Sequence, residues 1–164
     1  MNDRELQRLS MTIGNHLKAA KATVTCAESC TGGWIAKVFT DISGSSAWFE
    51  RGFVTYSNEA KQELVGVSAD SLAQYGAVSE AVVREMAQGA QRAARADYAV
   101  SVSGIAGPDG GSTDKPVGTV WFGFVGPDGV TMAKRQHFQG DREAVRRQSV
   151  AFALQTLQDD FLAN

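Results

Sequence analysis

The chain has 164 residues, of which 43% are hydrophobic and 21% charged, and it contains 3 prolines. This balance excludes intrinsic disorder, which requires low hydrophobicity and high net charge, and the length suits one domain with a sizeable core. The net charge of -2 lacks the basic surplus that a dedicated DNA- or RNA-binding protein needs. We therefore predict a single domain over residues 1–164 with no nucleic-acid partner.

Few side chains in this sequence can bind a metal, because its cysteines and histidines number 2 each. A structural zinc site requires about four such ligands in paired spacing, so we predict no metal site. The Gly-x-Gly-x-x-Gly pattern of dinucleotide-binding oxidoreductases is missing, and no other cofactor is expected. No signal peptide and no membrane-spanning run is visible. We expect a cytoplasmic protein with reduced thiols and no membrane partner.

The first half of the chain alternates between predicted helices and strands. Apolar residues that recur every three or four positions predict an amphipathic helix over 5–20. A short buried strand follows at Thr23–Ala27, then a glycine-containing loop and a helix that begins near Trp34. Aromatic and β-branched residues predict a second strand over Trp48–Tyr56.

Serines in N-cap positions predict the starts of the next helices, at Ser57 (or Asn58), Ser68 and Ser79. The last of these caps a long helix over Glu80–Arg95. A β-rich run at Tyr98–Val102 then leads into a long loop of glycine and proline residues.

A hairpin and a final helix complete the chain. The strands Val117–Val125 and Val130–Phe138 flank Gly126–Gly129, whose residues favour a tight turn. Asp141 is the predicted N-cap of the last helix. The order α-β-α-β-α-α-β, hairpin, α predicts one three-layer α/β/α domain, with a mixed, mostly parallel sheet that includes one antiparallel hairpin.

The loop Ala27–Gly33 joins a strand to a helix and is the first candidate site. Ser29 occupies the position of an exposed nucleophile. The unpaired N–H groups at Cys30, Thr31 and Gly32 favour an anion or a developing oxyanion. The alternative interpretation makes the hydroxyls helix caps and the glycines turn residues, because strand–loop–helix units of this kind are common.

The loop that follows the second strand contains a candidate base. No histidine lies in the candidate loops, but Lys61 can act as a base if burial lowers its pKa. Tyr56 could relay or donate a proton. In the alternative interpretation Tyr56 simply ends a strand and Lys61 is a solvated surface residue.

The third loop runs from Ser103 to Pro116 and is rich in glycine, which suggests backbone wrapped closely round a ligand. Its candidate binding residues are Ser103, Gly104, Ile105, Ala106, Gly107, Gly110 and Gly111. The alternative is a flexible crossover loop, which the length of the segment makes weaker. Arg142, at the start of the last helix, could bind a phosphate or could belong to a solvated basic face.

Cys30 is an alternative nucleophile, because a helix start lowers the pKa of a thiol. Cysteine amidases pair the thiolate with histidine, however, and His16 and His137 lie on other elements. We therefore interpret Cys26 and Cys30 as small buried residues.

Taken together, the loops resemble the C-terminal domain family of the competence-damage-inducible protein CinA, most closely its free-standing bacterial members, the nicotinamide-nucleotide amidohydrolases (NMN deamidases). The resemblance covers most of the chain, in the family's order. The segments that carry it are Ala27–Gly33, Gly52–Lys61, Gly76–Ser79, Ser103–Gly111, Lys115–Val120 and Gly140–Arg142.

This resemblance implies hydrolysis of the carboxamide of nicotinamide mononucleotide to nicotinic acid mononucleotide and ammonia, within pyridine nucleotide recycling. It also implies Ser29 as nucleophile, Lys61 as base, Tyr56 as an assisting group and a homo-oligomer, with a dimer favoured. Two alternatives remain open: a module that binds a nucleotide or sugar phosphate without chemistry, and an amidase for another small amide.

Overall fold

The computed structural model describes residues 1–163. Its helices are α1 (Asp3–Ala20), α2 (Trp34–Thr40), α3 (Asn58–Val65), α4 (Ala69–Tyr75), α5 (Glu80–Ala94) and α6 (Arg142–Thr156), with a π-helical turn over Leu157–Leu162. Its strands are β1 (Val24–Glu28), β2 (Phe53–Val54), β3 (Tyr98–Gly104), β4 (Thr119–Val125) and β5 (Thr131–His137).

The five strands form one mixed sheet in the order β2-β1-β3-β4-β5. β1 pairs in parallel with β2 and with β3, and β4 runs antiparallel to both β3 and β5. Apolar residues of α1, α2 and α6 pack on one face, and those of α3 and α5 pack on the other. The predicted three-layer α/β/α fold is confirmed.

The two faces of β3 differ in the size of their side chains. On β3, Val100 and Val102 point into the larger core beneath α1, α2 and α6, whereas Ala99 points toward α5. Ser101 Oγ donates a hydrogen bond of 2.6 Å to the Val83 carbonyl of α5. Small residues on this face therefore let α5 lie close against the strands.

Side-chain caps begin the helices where the sequence predicts them. Ser57 Oγ accepts from the Ala60 N–H at 3.0 Å and begins α3. The other predicted caps, each accepting a backbone N–H at the start of its helix, are Ser68, Ser79 and Asp141. The predicted cap positions are confirmed. N-capping is a local interaction, so the sequence alone can predict it.

The second strand is shorter than predicted. Of the segment Trp48–Tyr56, only Phe53 and Val54 belong to β2, and Phe49 makes an isolated bridge to Val24. The ring centroids of Trp48 and Phe39 lie 5.5 Å apart in an edge-to-face arrangement. Aromatic side chains that favour a strand by propensity here leave the sheet to fill the core.

Two further details differ from the predicted order. The structure has three helices between β2 and β3, where the predicted element order counts two, because α4 is a separate helix that begins at the predicted Ser68 cap. In addition, β4, the first strand of the hairpin, pairs antiparallel with β3 as well as with β5. The sheet therefore contains two antiparallel pairs. Of the helices in residues 1–163, none has both the length and the apolar character that crossing a membrane requires.

We expect Gly89→Ala to destabilise the fold. A Cβ at Gly89 of α5 would lie 1.6 Å from the Val65 carbonyl oxygen of α3. Alanine should gain about 1 kcal/mol of helix propensity, but overpacking against backbone costs roughly 1–3 kcal/mol or more. The melting temperature should therefore fall by about 5 °C.

Calorimetry measures the melting temperature, and Arg92→Ala, at an exposed position on the same helix, is the control. The free energy of unfolding of this control should stay within about 0.5 kcal/mol of that of the original chain. A higher melting temperature for Gly89→Ala would show that α3 and α5 separate at no cost.

Candidate active site

The candidate loops meet at the carboxyl ends of the parallel strands. Ser29 follows β1 directly, and its backbone N–H donates to the Val102 carbonyl of β3 at 3.0 Å. On the other side, the Thr55 N–H donates to the Glu28 carbonyl at 2.7 Å. The ladder hydrogen bonds therefore extend one residue past the strand ends and bring the first and second loops together.

Ser29 and Lys61 form the central pair of this site. The Nζ atom of Lys61 donates to Ser29 Oγ at 3.0 Å and to the Thr55 carbonyl oxygen at 2.8 Å. Lys61 is only 2% exposed, although it lies in the first turn of α3. The interpretation of Lys61 as a solvated surface residue is therefore wrong.

The surroundings of Lys61 favour its neutral form. Burial lowers the pKa of Lys61 below its ordinary value of 10.5, whereas a negative charge on the neighbouring Cys30 would act in the opposite direction to a smaller extent. None of the ion pairs recorded within residues 1–163 includes this lysine. A buried amine without a carboxylate partner loses its proton more easily than one in water.

The buried carboxylate of Glu28 anchors the turn that follows Ser29. Its oxygens accept from the backbone N–H groups of Ile35 and Ala36 at 2.8 and 3.0 Å, and from Thr31 Oγ1 at 2.7 Å. The side chain is fully buried. Glu28 was not among the predicted site residues, although an acidic residue between a buried strand and a helix is a recognisable signal.

The turn itself is tightly constrained. Gly32 and Gly33 adopt left-handed conformations, with φ of 58° and 103°, which non-glycine residues rarely adopt. The Gly32 N–H donates to the Ser29 carbonyl at 3.0 Å. No acceptor for the Thr31 N–H is recorded among residues 1–163. Of the three predicted N–H donors, that of Gly32 is therefore already engaged within the turn.

Tyr56 and Arg142 connect the second and third loops. One guanidinium nitrogen of Arg142 donates to the Tyr56 hydroxyl at 3.0 Å, and another donates to the Gly107 carbonyl at 2.8 Å. Tyr56 is 60% exposed. Within residues 1–163, no hydrogen bond joins its hydroxyl to Ser29 or Lys61. Its assisting role stays a prediction.

The glycines of the third loop pack closely on the chain itself. A Cβ at Gly107 would lie 2.5 Å from Val117 Cγ1, and one at Gly111 would lie 2.7 Å from the Val117 backbone nitrogen. A Cβ at Gly104 would meet Val120 Cγ2 at 2.6 Å. Close packing within the chain therefore explains three of these glycines, and a ligand is not needed to explain them.

The other predicted binding residues of this loop differ in accessibility. Ser103 and Ala106 are buried, whereas Gly110 is exposed and has a left-handed φ of 97°. Ile105 is partly buried, and its N–H donates to the Thr119 carbonyl at 2.9 Å. Ligand contacts at these positions remain predictions.

The cysteines have the properties of buried structural residues. Burial is the largest cause that raises the pKa of the Cys30 thiol to about 12, and it also raises the pKa of Cys26 well above the ordinary range. The ring of His137 lies 3.0 Å from the Val117 carbonyl oxygen, in another part of the fold. Cys30 therefore lacks the thiolate character that a cysteine nucleophile requires.

A cavity of about 520 Å³ lies on the outer side of the nucleophile turn, between α2 and α6. Its walls are formed by Asp3, Thr31, Gly32, Gly33, Trp34, Lys37, Glu143, Arg146 and Arg147. Arg146 and Arg147 were not among the predicted site residues, because α6 and the turn are more than 100 positions apart in the sequence. Within residues 1–163, no group of three or more His, Cys, Asp or Glu residues is placed to bind a metal ion.

Fold and site together define a class of α/β protein with a serine–lysine pair at the carboxyl edge of its parallel strands. The family model of the CinA C-terminal domain matches residues 6–161. The chain is 68% identical over 164 residues to the nicotinamide-nucleotide amidohydrolase PncC of Escherichia coli K12, covering 100% of this chain and 99% of that relative. The chain belongs to the CinA C-terminal domain family.

Two further similarities agree with this assignment. The nicotinamide-nucleotide amidohydrolase PncC of Pseudomonas putida is 54% identical over 149 residues, which cover 91% of this chain and 92% of that relative. The crystal structure of the competence damage-inducible protein A from Klebsiella pneumoniae superimposes with a TM-score of 0.92 at 42% identity, covering 97% of this chain and 98% of that structure.

We expect iodoacetamide to react with Cys30 very slowly in the folded chain at neutral pH. A pKa near 12, against an ordinary 9.0, leaves roughly 10³-fold less thiolate, and burial adds a steric barrier. Mass spectrometry of the alkylated protein, folded and in denaturant, measures the ratio of rates. Equal rates in the two states would show an accessible, ionised thiol.

Proposed function

We propose that this chain is a nicotinamide-nucleotide amidohydrolase that converts nicotinamide mononucleotide to nicotinic acid mononucleotide and ammonia in pyridine nucleotide recycling. The names of the PncC relatives, at up to 68% identity over the whole chain, support the substrate. We also propose that the amidohydrolase domain occupies residues 1–164.

The observation that carries the proposal is the 3.0 Å contact between Lys61 Nζ and Ser29 Oγ, in a site where the lysine is 2% exposed. A serine hydroxyl is a weak nucleophile until a base removes its proton. A lysine can be that base only if its pKa is lowered, and burial lowers it here. Nucleotide binding without chemistry would not require this arrangement.

In the proposed reaction, neutral Lys61 takes the proton of Ser29 Oγ while that oxygen bonds to the carboxamide carbon. The tetrahedral intermediate collapses by breaking the carbon–nitrogen bond, and the ammonium of Lys61 returns the proton to the departing ammonia. Water, activated by the same lysine, then adds to the acyl-enzyme and releases the carboxylate together with free Ser29. Bonds and protons balance without a metal or a redox partner.

Backbone N–H groups of the turn would stabilise the oxyanion of the intermediate. We propose those of Cys30, Thr31 and Gly32. Because the Gly32 N–H already donates to the Ser29 carbonyl, the contribution falls mainly on Cys30 and Thr31. A preorganised donor of this kind is typically worth roughly 3–4 kcal/mol.

The rest of the nucleotide would bind along the third loop. We propose that Arg142 contacts the phosphate and that the segment Ser103–Gly111 contacts the ribose or the pyridine. The hydrogen bonds from Arg142 to Gly107 and Tyr56 support this, because they keep the guanidinium at the junction of the loops. Tyr56 would then act at the mouth of the site, as an acid, a relay or a binding group.

We further propose a cytoplasmic enzyme that uses no cofactor, binds neither nucleic acid nor membranes, and assembles as a homo-oligomer, with a dimer favoured. Both cysteines are free thiols, which agrees with a reducing compartment. A charge of -2 agrees with the absence of a nucleic-acid partner.

Ser29→Ala should lower ammonia release from nicotinamide mononucleotide by roughly 10³-fold or more, because the covalent step loses its nucleophile. Substrate binding, measured by calorimetry, should change little. The assay is run in EDTA, and Ser46→Ala, at an exposed serine, is the matched control.

Each contrary result has a distinct meaning. Binding without ammonia release by the original chain would favour a binding module, and absence of binding would point to another amide. Activity that EDTA removes and zinc restores would contradict the metal-free reaction.

The pH dependence of kcat/KM should report the proton on Lys61. The neutral amine is the active form, so kcat/KM should rise with pH through an inflection below 10.5, because burial lowers the pKa of this lysine. Lys61→Met and Lys61→Arg should each lose roughly 10³-fold, since methionine has no base and guanidinium stays charged.

The exposed Lys18 provides a matched control, and Lys18→Met should retain the original profile. A profile that is flat below pH 10, or an active Lys61→Met variant, would remove lysine from the reaction.

A further inference from the structure

Arg146 of α6 reaches across the cavity to the turn that follows Ser29. Its Nε donates to the Cys30 carbonyl at 3.0 Å, and its Nη2 donates to the Thr31 carbonyl at 3.2 Å. The guanidinium also lies 5.5 Å from the centre of the Trp34 ring. These hydrogen bonds join residues more than 100 positions apart and connect α6 directly to the nucleophile turn.

The first of these carbonyls shares its peptide plane with the Thr31 N–H. In a trans peptide the C=O and N–H bonds point in opposite directions, and the one cis peptide recorded within residues 1–163 is at Gly107–Pro108. The guanidinium therefore directs the Thr31 N–H away from itself. Because no acceptor for that N–H is recorded in residues 1–163, the group is oriented and still available.

The second carbonyl, that of Thr31, connects Arg146 to Ser29 through the Thr31–Gly32 peptide. The Thr31 oxygen also accepts from the Trp34 N–H at 3.0 Å, and the Gly32 N–H of the same peptide donates to the Ser29 carbonyl at 3.0 Å. Both ends of this peptide are thus engaged. Arg146 holds one side of the turn, while the nucleophile's own backbone holds the other.

A charged donor affects the electron distribution of a peptide as well as its orientation. A hydrogen bond from guanidinium to a carbonyl polarises the peptide, and its N–H becomes a stronger donor. We propose that Arg146 is a positioning residue that orients and polarises the Cys30–Thr31 peptide, so that the Thr31 N–H stabilises the oxyanion formed on attack by Ser29. This role rests on the amidohydrolase function proposed above.

The neighbouring arginine provides a control within the same helix. Arg147 also lies over Trp34, at 4.9 Å from the ring centre. Its recorded hydrogen bonds go instead to Asp3 Oδ1 at 2.7 Å, the Met1 carbonyl at 3.4 Å and Glu143 Oε1 at 3.5 Å. Removal of Arg147 therefore tests loss of charge and of ring stacking without loss of contact to the turn.

The experiment compares Arg146→Met with Arg147→Met in ammonia release from nicotinamide mononucleotide. We expect kcat of Arg146→Met to fall roughly 10²-fold, the scale of losing one oxyanion donor, with KM changed less than about threefold. Arg147→Met should keep kcat within about twofold. Added guanidinium ion should restore part of the lost kcat in Arg146→Met and have no such effect in Arg147→Met.

A second variant covers the case in which Arg146→Met folds poorly. Arg146→Lys keeps the charge but lacks the planar fork that contacts both carbonyls, so its kcat should also lie well below that of the original chain. Full kcat in Arg146→Lys without the fork, or equal kcat in Arg146→Met and Arg147→Met, would overturn the positioning role and leave the proposed function intact. An original chain that releases no ammonia would overturn the proposed function, and the positioning role with it.

Discussion

Burial of the Lys61 amine against Ser29 is the constraint on which the rest of the site depends. An ammonium ion out of water is costly, and the surroundings of Lys61 provide one backbone carbonyl and one hydroxyl rather than a carboxylate. Burial therefore lowers the pKa of Lys61 and shifts the amine toward its neutral form. The same feature that makes this lysine an unfavourable core residue therefore makes it a base.

The position of that lysine depends on close packing between helices. Val65, one turn further along α3, faces Gly89 of α5, where no side chain intervenes. α5 in turn lies on the small residues of the sheet, such as Ala99 and Ser101. The close contacts at Gly89 and Ser101 thus pack α3, α5 and the sheet tightly together, which brings α3 to the edge where β1 ends.

The nucleophile turn is held from two sides by opposite charges. The buried Glu28 carboxylate accepts N–H groups at the start of α2, and the Arg146 guanidinium donates to the carbonyls of Cys30 and Thr31. Each group satisfies backbone atoms that a sharp strand-to-helix turn would otherwise leave unpaired. The turn can consequently remain rigid next to Ser29, as a preorganised oxyanion site requires.

Local patterns in the sequence determined most of the elements, because helix periodicity, N-caps and the hairpin turn are short-range interactions. They also indicated Ser29, Lys61 and the loops that join them. Tertiary structure decided what depends on burial and on distant partners. Trp48 and Phe49 fill the core instead of extending β2, Lys61 is buried rather than solvated, and three glycines of the third loop pack on the chain itself. Arg146 meets the nucleophile turn only because α6 folds back over α2, a contact that no local pattern encodes.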